Sequence, residues 1–349
     1  MERIDPAAEY EGGNSALAEG RAGDAVRHYR RALRVAPDVA EVHHNLAAAL
    51  ARLSRREEAV EAARRGLASR PDFAPLQVAL ANLLSEAGQF DAARTHFQDV
   101  LRQDDKLAAA WSGLAGVAMA QGAYEEASGN YQESLRLSPK NPVAMNNLAI
   151  CQQRLGHAHE TLALYRDLAV LNPELGQVQN NLGQVLQGLG RHDEAVAAFR
   201  RALELAQRLD ERIDNVAPFL MQSLMYQCAW DDLAAVRQQV LDETRRRLDG
   251  GLPITVQPFS LAGTDADGAL RLVAARSYSA HCAGQVEPLR DRLAFRHGPS
   301  QAPALRIGYI SPDFRQHSVV EAFKDLIKTH ARDCITWFGY AIAAADGIM

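Results

Sequence analysis

The chain has 349 residues, 47% of them hydrophobic and 23% charged, and 38 basic against 43 acidic side chains give a formal net charge of -5. This is a globular composition long enough for about two domains, with no net positive field to draw the protein onto nucleic acid or an anionic membrane. No leader-like segment opens Met1 to Gly13 and no stretch approaches ~18 uninterrupted apolar residues, so the expected location is cytoplasmic, without a membrane span. Cys151, Cys228, Cys282 and Cys334 are far apart. With no CxxC pair and no histidine at zinc-ligand spacing, they are read as reduced and mostly structural, and no metal site is expected.

A period organises the first two thirds. Pro37, Pro71, Asp105, Pro139 and Pro173 recur every 34 residues. With the first unit set at Pro6, position 7 of six successive units reads Gly12, Leu46, Leu80, Leu114, Leu148 and Leu182, and position 8 is always small. Position 20 reads Ala25, Ala59, Ala93, Ala127, Thr161 and Ala195, and position 24 reads Tyr29, Ala63, Phe97, Tyr131, Tyr165 and Phe199. Such columns predict a helical hairpin in each unit. Positions 7 and 8 share one face of a first helix, and positions 20, 24 and 27 share a face of the second. Position 15 is Gly20, Ser54, Gly88, Gly122, Gly156 and Gly190, which suits a left-handed residue ending the first helix. Proline at position 32 ends the second.

The period and columns resemble the tetratricopeptide repeat over residues 6–209. That resemblance implies six hairpins stacked into a right-handed superhelix whose first helices line a concave groove, with position 6 facing into it. Asn45, Asn147 and Asn181 occupy position 6 of their units, where Glu11, Ala79 and Gly113 interrupt the column. Two readings stay open. A row of amides, each with one acceptor and two donors, suits the backbone of an extended peptide, and the same residues suit a merely solvated helix face. The partners expected of such a groove are proteins or extended peptides. Arg55 and Arg56, Arg64 and Arg65, and Arg245 to Arg247 are read as a solvated face.

From Asp210 to Arg247 the columns fail while helical patterning persists, which predicts a last hairpin capping the stack at 210–247. Residues 248–304 read as a connector holding one helix, from about Ala269 to Ala283. Leu305 to Ile310 then suits a buried parallel strand, Ser311 to His317 a loop, Val319 to about His330 a helix capped by Ser318, and Ile335 to Tyr340 a second strand. This is the pattern of one βαβ unit opening a doubly wound sheet, so the fold class expected is mostly α with an incomplete Rossmann-like start at 305–349.

Cys228 to Asp232, then Leu252-Pro253 with Pro258-Phe259, then Leu305 to Ser318 are similar, in that order, to the junction of the protein O-GlcNAc transferase family. Those enzymes join tetratricopeptide repeats to a two-lobed glycosyltransferase of the GT-B type. The resemblance implies that His317 lies in the active-site cleft, placed for proton transfer, against the alternative of a loop histidine in solvent. It also implies UDP-N-acetylglucosamine as the family's donor. Only about 45 residues follow Leu305, too few for two Rossmann-like lobes, so the chain is expected to stop inside its first catalytic lobe. No cofactor pocket is then expected, and peptide binding by the repeats is the activity expected to survive. Sugar transfer to Ser or Thr is the alternative, if the missing lobes are supplied.

Overall fold

The computed structural model describes residues 5–254, 260–261, 264–293, 305–311 and 335–341. It divides into two compact units, residues 1–281 and 282–349.

The first unit is a series of antiparallel helix pairs. Six follow the period: α1 (Pro6–Ala18) with α2 (Ala22–Val35), α3 (Ala40–Arg52) with α4 (Arg56–Ser69), α5 (Ala74–Glu86) with α6 (Phe90–Gln103), α7 (Ala108–Ala120) with α8 (Tyr124–Leu137), α9 (Pro142–Arg154) with α10 (Ala158–Leu171), and α11 (Gly176–Gly188) with α12 (His192–Leu209). Every first helix starts at position 1 and every second helix at position 17. Position 15 between them is left-handed without exception. Gly20, Gly88, Gly122, Gly156 and Gly190 have φ between +72° and +81°, and Ser54 is forced to +58°.

The columns are buried as their spacing implies. Position 20 is fully buried in all six hairpins, the rings at position 24 are no more than 1% exposed, and the position 8 alanines are equally closed. Small residues set how closely the helices approach. A Cβ on Gly13 would lie 2.4 Å from the Tyr29 ring, and one on Gly183 would lie 2.6 Å from Phe199. Each second helix packs against the first helix of its own hairpin and the first helix of the next. First helices also touch directly, α1 with α3, α3 with α5, α5 with α7, α7 with α9, and α11 with the next first helix, α13 (Val216–Tyr226), so they share one wall.

Two further columns tie neighbouring hairpins. At position 4, His43 Nε2 donates to the Pro37 carbonyl at 2.8 Å, Gln77 Nε2 to that of Pro71, and Trp111 Nε1 to that of Asp105 at 2.8 Å. Each of these carbonyls belongs to position 32 of the preceding unit, left without a helical partner as the chain turns. On the outer side, an arginine at position 25 reaches an acid in the next hairpin. Arg30 pairs with Glu58 at 2.6 Å, Arg166 with Glu194 at 2.9 Å, and Arg200 with Asp232 at 2.6 Å. Glu58 and Glu194 also receive Arg55 and Arg191, and these hydrogen bonds hold both carboxyls below the usual glutamate range.

A seventh hairpin follows, α13 (Val216–Tyr226) with α14 (Trp230–Asp249). The columns do not stop at Asp210. They resume four residues late, because α12 runs to 18 residues where the second helices before it have 14: the left-handed residue is now Cys228, at φ +56°, with Leu220 and Leu233 buried in the position 7 and 20 roles. Leu261, Ala266 and Ala274 join the same core.

Helix α15 (Gly268–Leu293) runs ten residues past the end expected for it, continuing through Gly284. In the second unit, β1 (Leu305–Ser311) and β2 (Ile335–Ala341) pair in parallel, Leu305 opposite Ile335 and Ser311 opposite Ala341. The loop and helix expected between these strands lie outside the described residues, so the βαβ unit is not shown.

Candidate functional site

The wall of first helices carries the residues singled out by spacing. Asn45, Asn147 and Asn181 sit half-buried on α3, α9 and α11. The amides of Asn147 and Asn181 face the second helix of the preceding hairpin, and that of Asn45 bonds to its first helix. Asn147 Nδ2 donates to the Tyr131 hydroxyl at 3.1 Å, and Asn181 Nδ2 to that of Tyr165 at 3.5 Å. Asn45 Nδ2 donates to Asn14 Oδ1 at 2.9 Å and to the Tyr10 hydroxyl at 3.1 Å, while the Tyr29 hydroxyl donates to the same Asn14 oxygen at 2.8 Å. Burial pushes the phenols of Tyr29, Tyr131 and Tyr165 above their ordinary pKa, and the asparagine contacts pull the other way.

The asparagine column therefore has a structural partner column. Where position 24 is Tyr, position 6 of the next hairpin is Asn. Where position 24 is Phe97, position 6 is Gly113, whose Cβ would lie 2.2 Å from that ring. Where it is Phe199, the residue in that role is Phe219, stacked on it with centroids 6.0 Å apart. A buried hydroxyl needs a partner, and an amide on the next helix supplies one.

The amides keep unused capacity along the same wall. Asn147 Oδ1 has only a long contact from Asn146 at 3.5 Å, whereas Asn181 Oδ1 accepts from Gln177 at 2.9 Å. Beyond them, on α9, α11 and α13, the wall bears Gln153, Gln184 and Gln222, which sequence reasoning did not single out.

A cleft of about 1110 Å³ lies elsewhere, between second helices α2 and α4. It exists because α4 presents Ala62 and Ala68 there, and charged residues of its walls close on one another in the pairs Arg30 with Glu58 and Arg65 with Glu61. Of the arginine runs, Arg55, Arg56, Arg65, Arg245, Arg246 and Arg247 all form ion pairs, most of them at exposed positions. His317 lies outside the described residues. Among the described residues no group of three His, Cys, Asp or Glu could hold a metal ion, Cys151, Cys228 and Cys282 are free thiols, and no helix is long and apolar enough to cross a membrane.

Comparison with known proteins agrees with the hairpin geometry. Three family models, each described as tetratricopeptide repeat, match residues 16–83, 78–142 and 174–239. The last of these reaches into the seventh hairpin, across the four-residue shift. Among solved structures, a tetratricopeptide repeat protein from Parabacteroides merdae aligns over 78% of this chain and 98% of its own at TM-score 0.52 and 13% identity. The pilF protein of Pseudomonas aeruginosa aligns over 58% and 90%, at TM-score 0.52 and 20% identity. These likenesses concern the fold alone. A probable UDP-N-acetylglucosamine–peptide N-acetylglucosaminyltransferase of Arabidopsis thaliana is 31% identical over 136 residues, which is 36% of this chain, and the match spans 14% of that protein's length. Residues 16–142 and 174–239 of this chain are tetratricopeptide repeats.

Proposed function

We propose that this chain is a binding array whose wall of first helices takes up an extended segment of another protein, with Asn45, Asn147 and Asn181 contributing amides to the segment's backbone. The observation that supports this reading is the half-buried placement of all three on one wall, and at Asn147 an Nδ2 held by Tyr131 beside an Oδ1 left almost free for a ligand. Groove binding of this kind needs no cofactor. The test is capture of unstructured peptides by the chain with all three asparagines replaced by alanine, against Tyr131→Phe with Tyr165→Phe. The tyrosine variants remove the internal bonds but leave the amides. Binding weakened by the asparagine replacements and kept by the tyrosine ones supports the proposal. Equal binding by all variants leaves the column a purely structural one.

A second reading is protein O-GlcNAc transfer, with residues from Leu305 onward belonging to a nucleotide-sugar-binding lobe and His317 moving the acceptor's proton. The Arabidopsis relative and the parallel pairing of β1 with β2 favour it. Calorimetric titration of the chain with uridine diphosphate decides: micromolar binding promotes the enzyme, and no binding leaves the repeat array as what these residues do.

A further inference from the structure

The wall of first helices changes chemistry along its length. On α3, α5 and α7 the residues at positions 6 and 9 are Asn45, Ala48, Ala79, Asn82, Gly113 and Gly116, and small side chains predominate. On α9, α11 and α13 amides take over, and there a pocket of about 440 Å³ opens between the last two first helices. Its walls include Gln153, Gln184, Gln187 and Gln222, with His192 and Tyr226 at the rim, and no Lys, Arg, Asp or Glu lines it.

Three of the four glutamines are idle. Gln187 is spent on the fold, donating to the Phe219 carbonyl at 2.9 Å and to Ser223 Oγ at 2.7 Å, which clamps α11 to α13. Gln153, Gln184 and Gln222 have no side-chain hydrogen bond among the described residues, and Gln153 and Gln222 are exposed. The rim carries a ring pair. The His192 and Tyr226 rings stack at 4.5 Å and 13°, with His192 Nδ1 buried and without a hydrogen-bond partner. A stacked ring pair beside three free amides offers paired donors and acceptors and a flat apolar surface, with no charge to match a charged ligand.

We infer that this pocket selects an extended partner segment rich in uncharged polar residues, Ser, Thr, Asn and Gln, whose side-chain and backbone amides pair with Gln153, Gln184 and Gln222 beside the Tyr226 ring. The inference rests on the groove reading and sharpens it. The neutral lining disfavours acidic or basic segments, because a buried charge without a partner is penalised more heavily than a neutral polar group. The pocket continues the wall that holds Asn147 and Asn181, which favours a chain running past it over an isolated small molecule.

The experiment uses fluorescence anisotropy with the full chain and three labelled peptides of equal length, acetylated and amidated at their ends. One is built of Ser, Thr, Asn and Gln, one carries Glu at alternate positions, and one carries Lys there. The neutral peptide is expected to bind at least fivefold more tightly than either charged one. Gln184→Ala and Gln222→Ala are each expected to weaken it about three- to tenfold, as is Tyr226→Ala, with circular dichroism and melting unchanged for the two exposed positions 222 and 226. Arg102→Ala, at an exposed position on α6, is expected to leave the short peptide's affinity alone. Equal or tighter binding of a charged peptide, or wild-type affinity in Gln184→Ala and Gln222→Ala, overturns the pocket's role. If those variants bind normally while the asparagine replacements still weaken a longer peptide, the pocket fails and the groove survives; if no wall variant matters for any peptide, both fail together.

Discussion

The Nδ2 of Asn147 meets the hydroxyl of Tyr131 at 3.1 Å, across the junction of two hairpins and sixteen residues apart in sequence. The same sixteen-residue step joins Asn181 to Tyr165. A tyrosine at this place fills the gap between hairpins like a phenylalanine but carries a hydroxyl that must be satisfied away from water. Asn147→Ala should then destabilise the chain by about 1 kcal/mol, and Tyr131→Phe in the same molecule should recover part of that loss, since both partners of the bond are then gone. A double-mutant cycle from urea melts measures the coupling, and strictly additive losses would contradict it.

The same tyrosines set an alkaline limit. Burial raises the folded-state pKa of Tyr29, Tyr131 and Tyr165 above the unfolded value near 10. The unfolded chain therefore gives up these protons first as pH rises. Stability from this source is fully present below about pH 10 and drains away as the pH climbs through the folded-state values. Melting temperature should be flat from neutral pH to about 9 and fall above 10, with phenolate absorbance appearing together with loss of helix. Phenolate forming in these three while helicity holds would count against it.

Ser54 and Cys228 occupy a left-handed turn that five other hairpins give to glycine. A side chain there is strained by about 1–2 kcal/mol, partly offset in glycine by its freer unfolded chain. Ser54→Gly and Cys228→Gly should each stabilise by roughly 0.5–1 kcal/mol. Gly122→Ala should destabilise by a similar amount or more although no atom lies within 4 Å of the new methyl, so the effect comes from backbone conformation alone.

Where rings meet glycine, the reverse holds. Gly113→Ala puts a methyl into the Phe97 ring and Gly183→Ala puts one into Phe199, at 2.2 and 2.6 Å before relaxation. Each should destabilise by about 1–3 kcal/mol, the usual range for overpacking. Phe97→Leu combined with Gly113→Ala should restore part of the loss, which thermal melts of the three proteins can show.

The repeat array does not end with its last pair of helices. Leu261, Ala266 and Ala274 close over the core that α13 and α14 share with the preceding hairpins. A fragment ending at Asp249 should be helical yet melt below one ending at His281, because an end hairpin needs something to cover its apolar face. Identical melts would show that this cover adds nothing.

Much of this was legible in the sequence because each column has one physical task repeated in most of the six units: glycine for a left-handed turn, alanine for close approach, a ring for the gap. The seventh hairpin was expected as a cap, but its columns were not seen. Four extra residues at the end of α12 moved its columns out of phase, and a fixed ruler laid from Pro6 reads Asn215 where the fold puts Phe219. The asparagine column was seen, but its partner column was passed over, although every Tyr at position 24 stands sixteen residues before an Asn. Gln153, Gln184 and Gln222 escaped notice for a different reason. They occupy positions 12 and 9 in only two or three hairpins, too few to stand out as a column, and only the packing of α11 against α13 makes a pocket of them.

The position 4 bonds make the junctions interchangeable parts. His43, Gln77 and Trp111 are chemically unlike, yet each hands one N–H to the carbonyl six residues back, so at this contact no hairpin needs to recognise which particular neighbour precedes it. Excising residues 74–107 would seat Trp111 over Pro71 in place of Gln77, with the same atoms in reach. An array joined in this way can gain or lose whole hairpins during descent where the position 24 side chain on one side of the join still fits position 6 on the other, and the reach of its binding wall becomes a quantity that selection can adjust one unit at a time.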